Sequence, residues 1–390
     1  MLATGVMAGF GFFFWLIVAR LFSTTNIGLA TTLISVMNMI AMLSLVGFDS
    51  SFVRFLPSST NKNDKLNTGF IIVGIVAAIL ASGFIYLVDT LSPSLHFIKS
   101  TPLSSFFFIF FCVMTALNIL TDAVFLSERK TKYTLVINTI FSGVRLLLPF
   151  VFIEWGAVGI FTAVALSQTI GLILSIGAMM YWFNYRPQFK IHMGVLERMR
   201  GYSLGNYMAG IINLLPPTIL PIFITNYFGP EQAAFYYIIM MIGNLLYSIP
   251  WATTKSLFAE GAHAEHLLRE HTIKSTKIIA AFTLLPMLIL FFFGDQLLLV
   301  FGKSYSDEGF GFLRLIVLSV IPVSTYSILG SYFKVKKDSR WQIVVNIFYA
   351  ATIISASYLL MEYGLVGVGY AWILGNLIAS IVGVLILILY

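Results

Sequence analysis

The sequence predicts an all-α polytopic membrane protein of about twelve transmembrane helices, in two six-helix lobes related by pseudo-two-fold symmetry along the membrane normal. Three observations predict it. Hydrophobic residues make up 59% of the 390 and charged residues 10%, with a mean hydropathy of +0.93, whereas soluble domains carry about 25% charge. Apolar runs of about twenty residues or more alternate with short polar connections, the pattern of spanning helices; barrel strands would alternate within segments of about ten. One turn also recurs: Glu154, Gly156, Val158, Gly159, Ala163 and Gln168 are answered by Glu362, Gly364, Val366, Gly367, Ala371 and Asn376.

By apolar length the spans fall near 2–22, 27–53, 67–89, 102–127, 132–153, 157–184, 201–227, 232–255, 276–300, 309–333, 341–361 and 365–390. The first has neither a basic n-region nor a small-residue cleavage site, so it is expected as a retained helix and not a signal peptide. Its FGFFFW run, like FFFIFF in the fourth span, is simplest as lipid-facing or core surface. The second span ends with Asp49 and Arg54, the fourth carries Asn118 and Asp122, and the fifth carries Arg145. Between the sixth and seventh lies 185–200, a mix of Phe189, Ile191, Met193, Val195 and Leu196 with basic residues. It suits either a short helix on the cytoplasmic surface or a plain solvated loop. The expected domains are therefore 1–184, a cytoplasmic amphipathic linker 185–200, and 201–390.

In the seventh span Pro216-Pro217, with Pro221 one turn on, removes backbone donors and predicts a kink, a hinge or a static packing feature. The repeat extends upstream of the turn. Phe125, Tyr133, Val136 and Asn138 match Phe333, Trp341, Val344 and Asn346. At a slightly different offset Phe22, Asn38, Ser50 and Phe52 match Phe228, Asn244, Ser256 and Phe258. Arg145 has no counterpart: the equivalent residue is Ile353. Six spans per half place the symmetry axis along the membrane normal.

Lysines and arginines set the orientation. Connections after even-numbered spans hold clusters such as Arg129, Lys130, Lys132 and Lys334, Lys336, Lys337, Arg340; those after odd spans hold only Arg20, Lys99 and Lys303. Both termini are expected in the cytoplasm. The net charge of +7 follows from this asymmetry and requires no nucleic acid. The single Cys112 excludes an intramolecular disulfide and multi-cysteine metal sites. His263 and His266 flank Glu265, but a solvated face accounts for them better than a metal ion.

Arg145 is the leading candidate site residue. It lies thirteen residues after Lys132, about 20 Å into the membrane at the helical rise, where a charge faces a cavity, a partner or an interface. A guanidinium fork suits phosphate, so a cavity arginine implies an anionic substrate group; the alternative is an ion pair with Asp122. Asn118 and, one turn on, Asp122 are further substrate-contact candidates; Asp122 is open as a proton carrier, an arginine partner or a wet cavity edge. Arg54 serves either phosphate loading or positive-inside anchoring, and Arg20 either receives the phosphate at the outer side or caps its helix. Arg314 lies near an outer helix end, within snorkelling reach. No nucleotide-binding loop, nucleophile elbow or zinc motif occurs, and no cofactor is expected.

The opening GFFFWLIVARLFSTTNIGLATTLISVMNMIAMLSLVGFDSSFVRFLP, with Arg20-Leu21-Phe22 and Gly28 at the first hairpin, resembles the polysaccharide-biosynthesis flippases (Wzx type) of the multidrug/oligosaccharidyl-lipid/polysaccharide exporter superfamily. The two-lobe repeat, the turns at Gly156 and Gly364, and FLRLIVLSVIPVSTYSILGSYF extend that resemblance over essentially the whole chain. It implies export of a polyprenyl-phosphate- or pyrophosphate-linked oligosaccharide by alternating access across the cytoplasmic membrane. The phosphate would be held by arginines such as Arg145 and Arg54, with membrane lipid around the tail and a coupling ion to be identified. Two other readings compete: a multidrug extruder of the same superfamily, which would prefer buried carboxylates, and a polytopic glycan polymerase or ligase, which would need a sizeable outer loop.

Overall fold

The computed structural model describes residues 2–59, 61–336 and 338–389; the side chains of 2–6, 193–206, 209 and 339 lie outside the description. The chain is all-helical, with no strand among the described residues. Among the described residues eleven segments are long and apolar enough to cross a membrane, and Met7–Leu21 adds a shorter apolar helix.

The first compact unit comprises Leu2–Ile211 and Pro221–Asn226. It contains α1 (Leu2–Leu21), α2 (Thr24–Ser44), α3 (Phe48–Phe55), α4 (Lys62–Leu91), α5 (Pro102–Ser127), α6 (Thr131–Val151), α7 (Gly156–Phe183) and parts of α8 (Met193–Phe228). Local chemistry sets the ends. Ser23 accepts the Asn26 amide to cap α2, and Thr101 and Ser104 form a capping box ahead of α5 with Pro102 at its first position. α7 stops at Asn184, left-handed at φ 53°, where the Tyr185 amide closes onto the Met179 carbonyl at 3.1 Å. α2 packs on α4, α5 and α7 and is the most enclosed of the candidate spans among the described residues. Its inward hydroxyls are satisfied locally: Thr31 and Thr32 both donate to the Gly28 carbonyl, and Thr32 meets Thr225 of α8 at 2.5 Å.

The second unit comprises Ile212–Leu220 and Tyr227–Tyr390. It adds α9 (Pro230–His263), α10 (Leu268–Phe301), α11 (Lys303–Leu318), α12 (Val320–Val335), α13 (Ser339–Leu359) and α14 (Gly364–Leu389). Gly229 at φ 91° and Gly302 at φ 148° turn the chain before α9 and α11, conformations that glycine adopts without a Cβ penalty.

Two expected spans are each divided. Span 27–53 breaks between α2 and α3 because Val46 (φ 47°) and Gly47 (φ 79°) are left-handed. Span 309–333 is interrupted at Ser319, where Pro322 has no N–H for the Leu318 carbonyl. The helix axis is nonetheless bridged there, by Ser319 N–H to Leu315 and Val323 N–H to Ser319, both at 2.9 Å. Of the expected linker, residues up to 192 are irregular and α8 starts at Met193. The side chains of 193–200 lie outside the described residues.

The internal repeat is reproduced in backbone detail. Three-residue 3-10 turns at Ile153–Trp155 and Met361–Tyr363 lead to Gly156 (φ 54°, ψ −128°) and Gly364 (φ 59°, ψ −139°). Trp155 N–H closes onto Phe152, and Tyr363 N–H onto Leu360, each at 3.0 Å. In both turns that carbonyl lies against a glycine: a Cβ on Gly159 would stand 2.1 Å from the Phe152 oxygen, and one on Gly367 2.0 Å from Leu360. Earlier in each half, Lys130 N–H reaches Phe125 at 2.9 Å and Asp338 N–H reaches Phe333 at 3.0 Å.

Candidate substrate-contact residues

Arg145 projects from α6 onto α1, where its guanidinium carbon lies 5.1 Å from the centre of the Phe14 ring. Phe14 is fully buried and Arg145 half-buried. Cation–π attraction to a desolvated ring holds the charge within the helical bundle. The sequence signalled the arginine; it gave no signal for its aromatic partner, 131 residues upstream.

Asn118 and Asp122, one turn apart on α5, point differently. Asn118 is buried and donates to the Gln168 side chain of α7 at 2.6 Å, so its amide ties two helices together. Asp122 is exposed and has no ion pair with any described residue. The Arg145–Asp122 pair left open by the sequence is therefore not formed. Arg54 is exposed in the last turn of α3, stacked 5.4 Å from the neighbouring Phe55 ring, and Arg20 is exposed in the last turn of α1. Pro216 and Pro217 lie within α8, which runs on through both. Arg314 is held at 4.1 Å over the Phe310 ring and donates Nε–H to the Phe291 carbonyl at 3.2 Å.

The structure adds residues that the sequence did not mark. In the first unit the break between α2 and α3 is closed by Tyr207 of α8, whose hydroxyl donates to the Leu43 carbonyl at the end of α2. In the second unit a part-buried relay runs from the Asn213 amide to the Tyr326 hydroxyl at 2.6 Å and on to Asn346 Oδ1 at 2.7 Å. Tyr326 occupies the position equivalent to Asn118, so the two halves use one helix position for different polar ties. Residues this far apart in sequence leave no local pattern to read.

No cluster of three or more potential metal ligands occurs among the described residues. Glu265 instead bonds Lys336 at 2.8 Å, which raises that lysine's pKa by hydrogen bonding and charge, and His271 meets Glu260 at 3.1 Å.

The fold is similar to those of solved membrane transporters. It resembles the lipid II flippase MurJ in an inward closed conformation (TM-score 0.81, 12% identity, covering 99% of this chain and 86% of that one). It also resembles an inward-facing multidrug-resistance MATE-family transporter of the MOP superfamily (TM-score 0.73, 16% identity, 97% and 93% covered). A third relative by fold is a Pyrococcus furiosus MOP-superfamily transporter described by the reversed polarity of its binding pocket (TM-score 0.69, 17% identity, 98% and 91% covered). No curated protein sequence matches the chain. The polysaccharide biosynthesis protein family matches residues 17–308, and the chain belongs to that family.

Proposed function

We propose that this protein exports a polyprenyl-phosphate- or pyrophosphate-linked oligosaccharide across the cytoplasmic membrane by alternating access, for cell-surface glycan assembly. It does so as a transporter and not as an enzyme, with both termini cytoplasmic. Arg145 carries the reading: a half-buried guanidinium on a spanning helix, stacked on the buried Phe14, offers a fork of donors suited to a phosphate. Membership of the polysaccharide biosynthesis family supports a lipid-linked sugar as the source of that anion. Arg54 and Arg20, exposed at the ends of α3 and α1, are assigned phosphate loading and release. Pro216 and Pro217 are assigned the bending of α8, and Asp122 the coupling ion. Asn118 contributes through Gln168, as a positioning residue.

The test is reconstitution in vesicles with a labelled polyprenyl-pyrophosphate oligosaccharide. A charge-assisted hydrogen bond of about 1.5–3 kcal/mol corresponds to a 10- to 100-fold fall in flipping for Arg145→Ala. Arg145→Lys retains the charge but not the fork, and should fall between. Unimpaired flipping by Arg145→Ala would remove the assignment. One observation favours a second reading, export of an organic cation: Asp122 is an exposed carboxylate on a spanning helix with no ion pair among the described residues. Proton- or sodium-driven efflux of a cationic dye that is lost in Asp122→Asn and retained in Arg145→Ala would establish it.

A further inference from the structure

Residues 184–192 join α7 to α8, and the structure fixes them as an extended strap on the first two turns of α4. Asn63 accepts the Arg186 amide at 3.2 Å. Asn67 is the central attachment: its Oδ1 accepts the Tyr185 hydroxyl at 2.7 Å and the Gln188 amide at 3.1 Å, and its Nδ2 donates to the Arg186 carbonyl at 3.1 Å. The Thr68 hydroxyl accepts the His192 amide at 3.0 Å, while His192 Nε2 lies 3.3 Å from Asp64. Asn67 and Thr68 are both buried, so these bonds satisfy groups that would otherwise be stranded. Burial pushes the Tyr185 phenol up to about 12, which keeps it a neutral donor to Asn67.

What the strap turns outward is apolar and basic together. Phe189 is 103% exposed and Ile191 40%, and Arg186 and Lys190 beside them are exposed as well. Their depth follows from the attachments. Gln188 and His192 are bonded at Asn67 and Thr68, immediately before the apolar run of α4 that begins at Gly69. Phe189 and Ile191 therefore stand at the boundary between headgroups and hydrocarbon, where aromatic and aliphatic side chains partition while flanking cations meet lipid phosphates.

We propose that the 184–192 strap is an interfacial anchor that docks on anionic phospholipid, with Phe189 and Ile191 entering the acyl boundary and Arg186 and Lys190 on the phosphates. The cytoplasmic placement of this face rests on the orientation in the proposed function; the substrate does not enter the argument. Each cation near an anionic leaflet is worth about fivefold in partitioning.

The test uses the full-length protein with Phe189→Cys carrying a bimane probe; Cys112, the other cysteine, is fully buried, and unsubstituted protein serves as the labelling blank. The protein is reconstituted in phosphatidylcholine vesicles with and without phosphatidylglycerol. The expected result is quenching by lipid brominated near the headgroup and shielding from aqueous iodide. Arg186→Gln with Lys190→Gln should raise iodide access severalfold in the phosphatidylglycerol vesicles and little in phosphatidylcholine alone. Full iodide access with no bromolipid quenching would make the strap a solvated loop. Shielding from both quenchers, in detergent as in vesicles, would mean that protein covers this face; either result overturns the proposal. Because no transport is measured, an inactive flippase assay and a failed anchor are separate outcomes.

Discussion

The turns at 153–159 and 361–367 have nearly the same backbone, down to a carbonyl pressed on a glycine, yet the helices leading into them differ in charge at one buried-facing position. In the first unit that position is Arg145, held over Phe14. In the second it is Ile353, fully buried and so close to α14 that a Cβ on Gly375 would stand 2.2 Å from its Cγ1. Two further contrasts follow the same line. The second span of the first unit is broken at Val46-Gly47 and closed by Tyr207, whereas its counterpart α9 is continuous through Pro250. At the helix ends that carry the positive-inside cations, Lys62 bonds Glu128 at 2.6 Å, and the corresponding tie joins Glu265 to Lys336 with the charges exchanged. Glu128 and Lys336 stand at equivalent positions of the repeat. Scaffold has been kept in both copies, and polar chemistry has diverged on it.

That comparison is open to attack at several strengths. The largest effect is expected from Ile353→Ala, which removes a wholly buried side chain and should cost about 2–4 kcal/mol in chemical unfolding. Arg145→Ala should cost much less stability and far more transport; equal loss of stability would erase the contrast. Next come Gly159→Ala and Gly367→Ala. Each puts a methyl against a backbone oxygen, so each should destabilise by about 1–3 kcal/mol and by similar amounts. A large inequality between them in thermal unfolding would end the claim that the turns are one scaffold. Tyr207→Phe strands the Leu43 carbonyl at the broken helix and should cost about 1 kcal/mol, seen as faster amide exchange through 43–48. The smallest effect belongs to the ionic ties. Lys62→Glu or Glu128→Lys alone should lower stability by about 0.2–1 kcal/mol, and the double exchange, which copies the polarity of the second half, should restore it.

The span pattern and the repeated turn were legible because apolar length and positive-φ glycines are local signals. Gly156 and Gly364 are needed where a 3-10 turn feeds the next helix, and their neighbours advertise it. The break at Val46-Gly47 was hidden because apolar residues run across it, and a valine at positive φ is not what a turn motif announces. Arg145 was conspicuous as a charge in hydrocarbon, but its contact with Phe14 joins residues on different helices. Asn118 read as a cavity residue, and the structure engages it with Gln168. The strap was the least legible feature: nothing local to Asn63, Asp64, Asn67 and Thr68 announces that the chain returns to them about 120 residues later.

The most direct test of the asymmetry is Arg145→Ile, which gives the first half the residue of the second. Binding of a polyprenyl phosphate and of the matching uncharged polyprenol to purified protein should be compared with and without the substitution. The account predicts that the unsubstituted protein prefers the phosphate by about tenfold or more, in line with a charge-assisted hydrogen bond, and that Arg145→Ile abolishes this preference while polyprenol binding stays the same. A phosphate preference that survives in Arg145→Ile would contradict it.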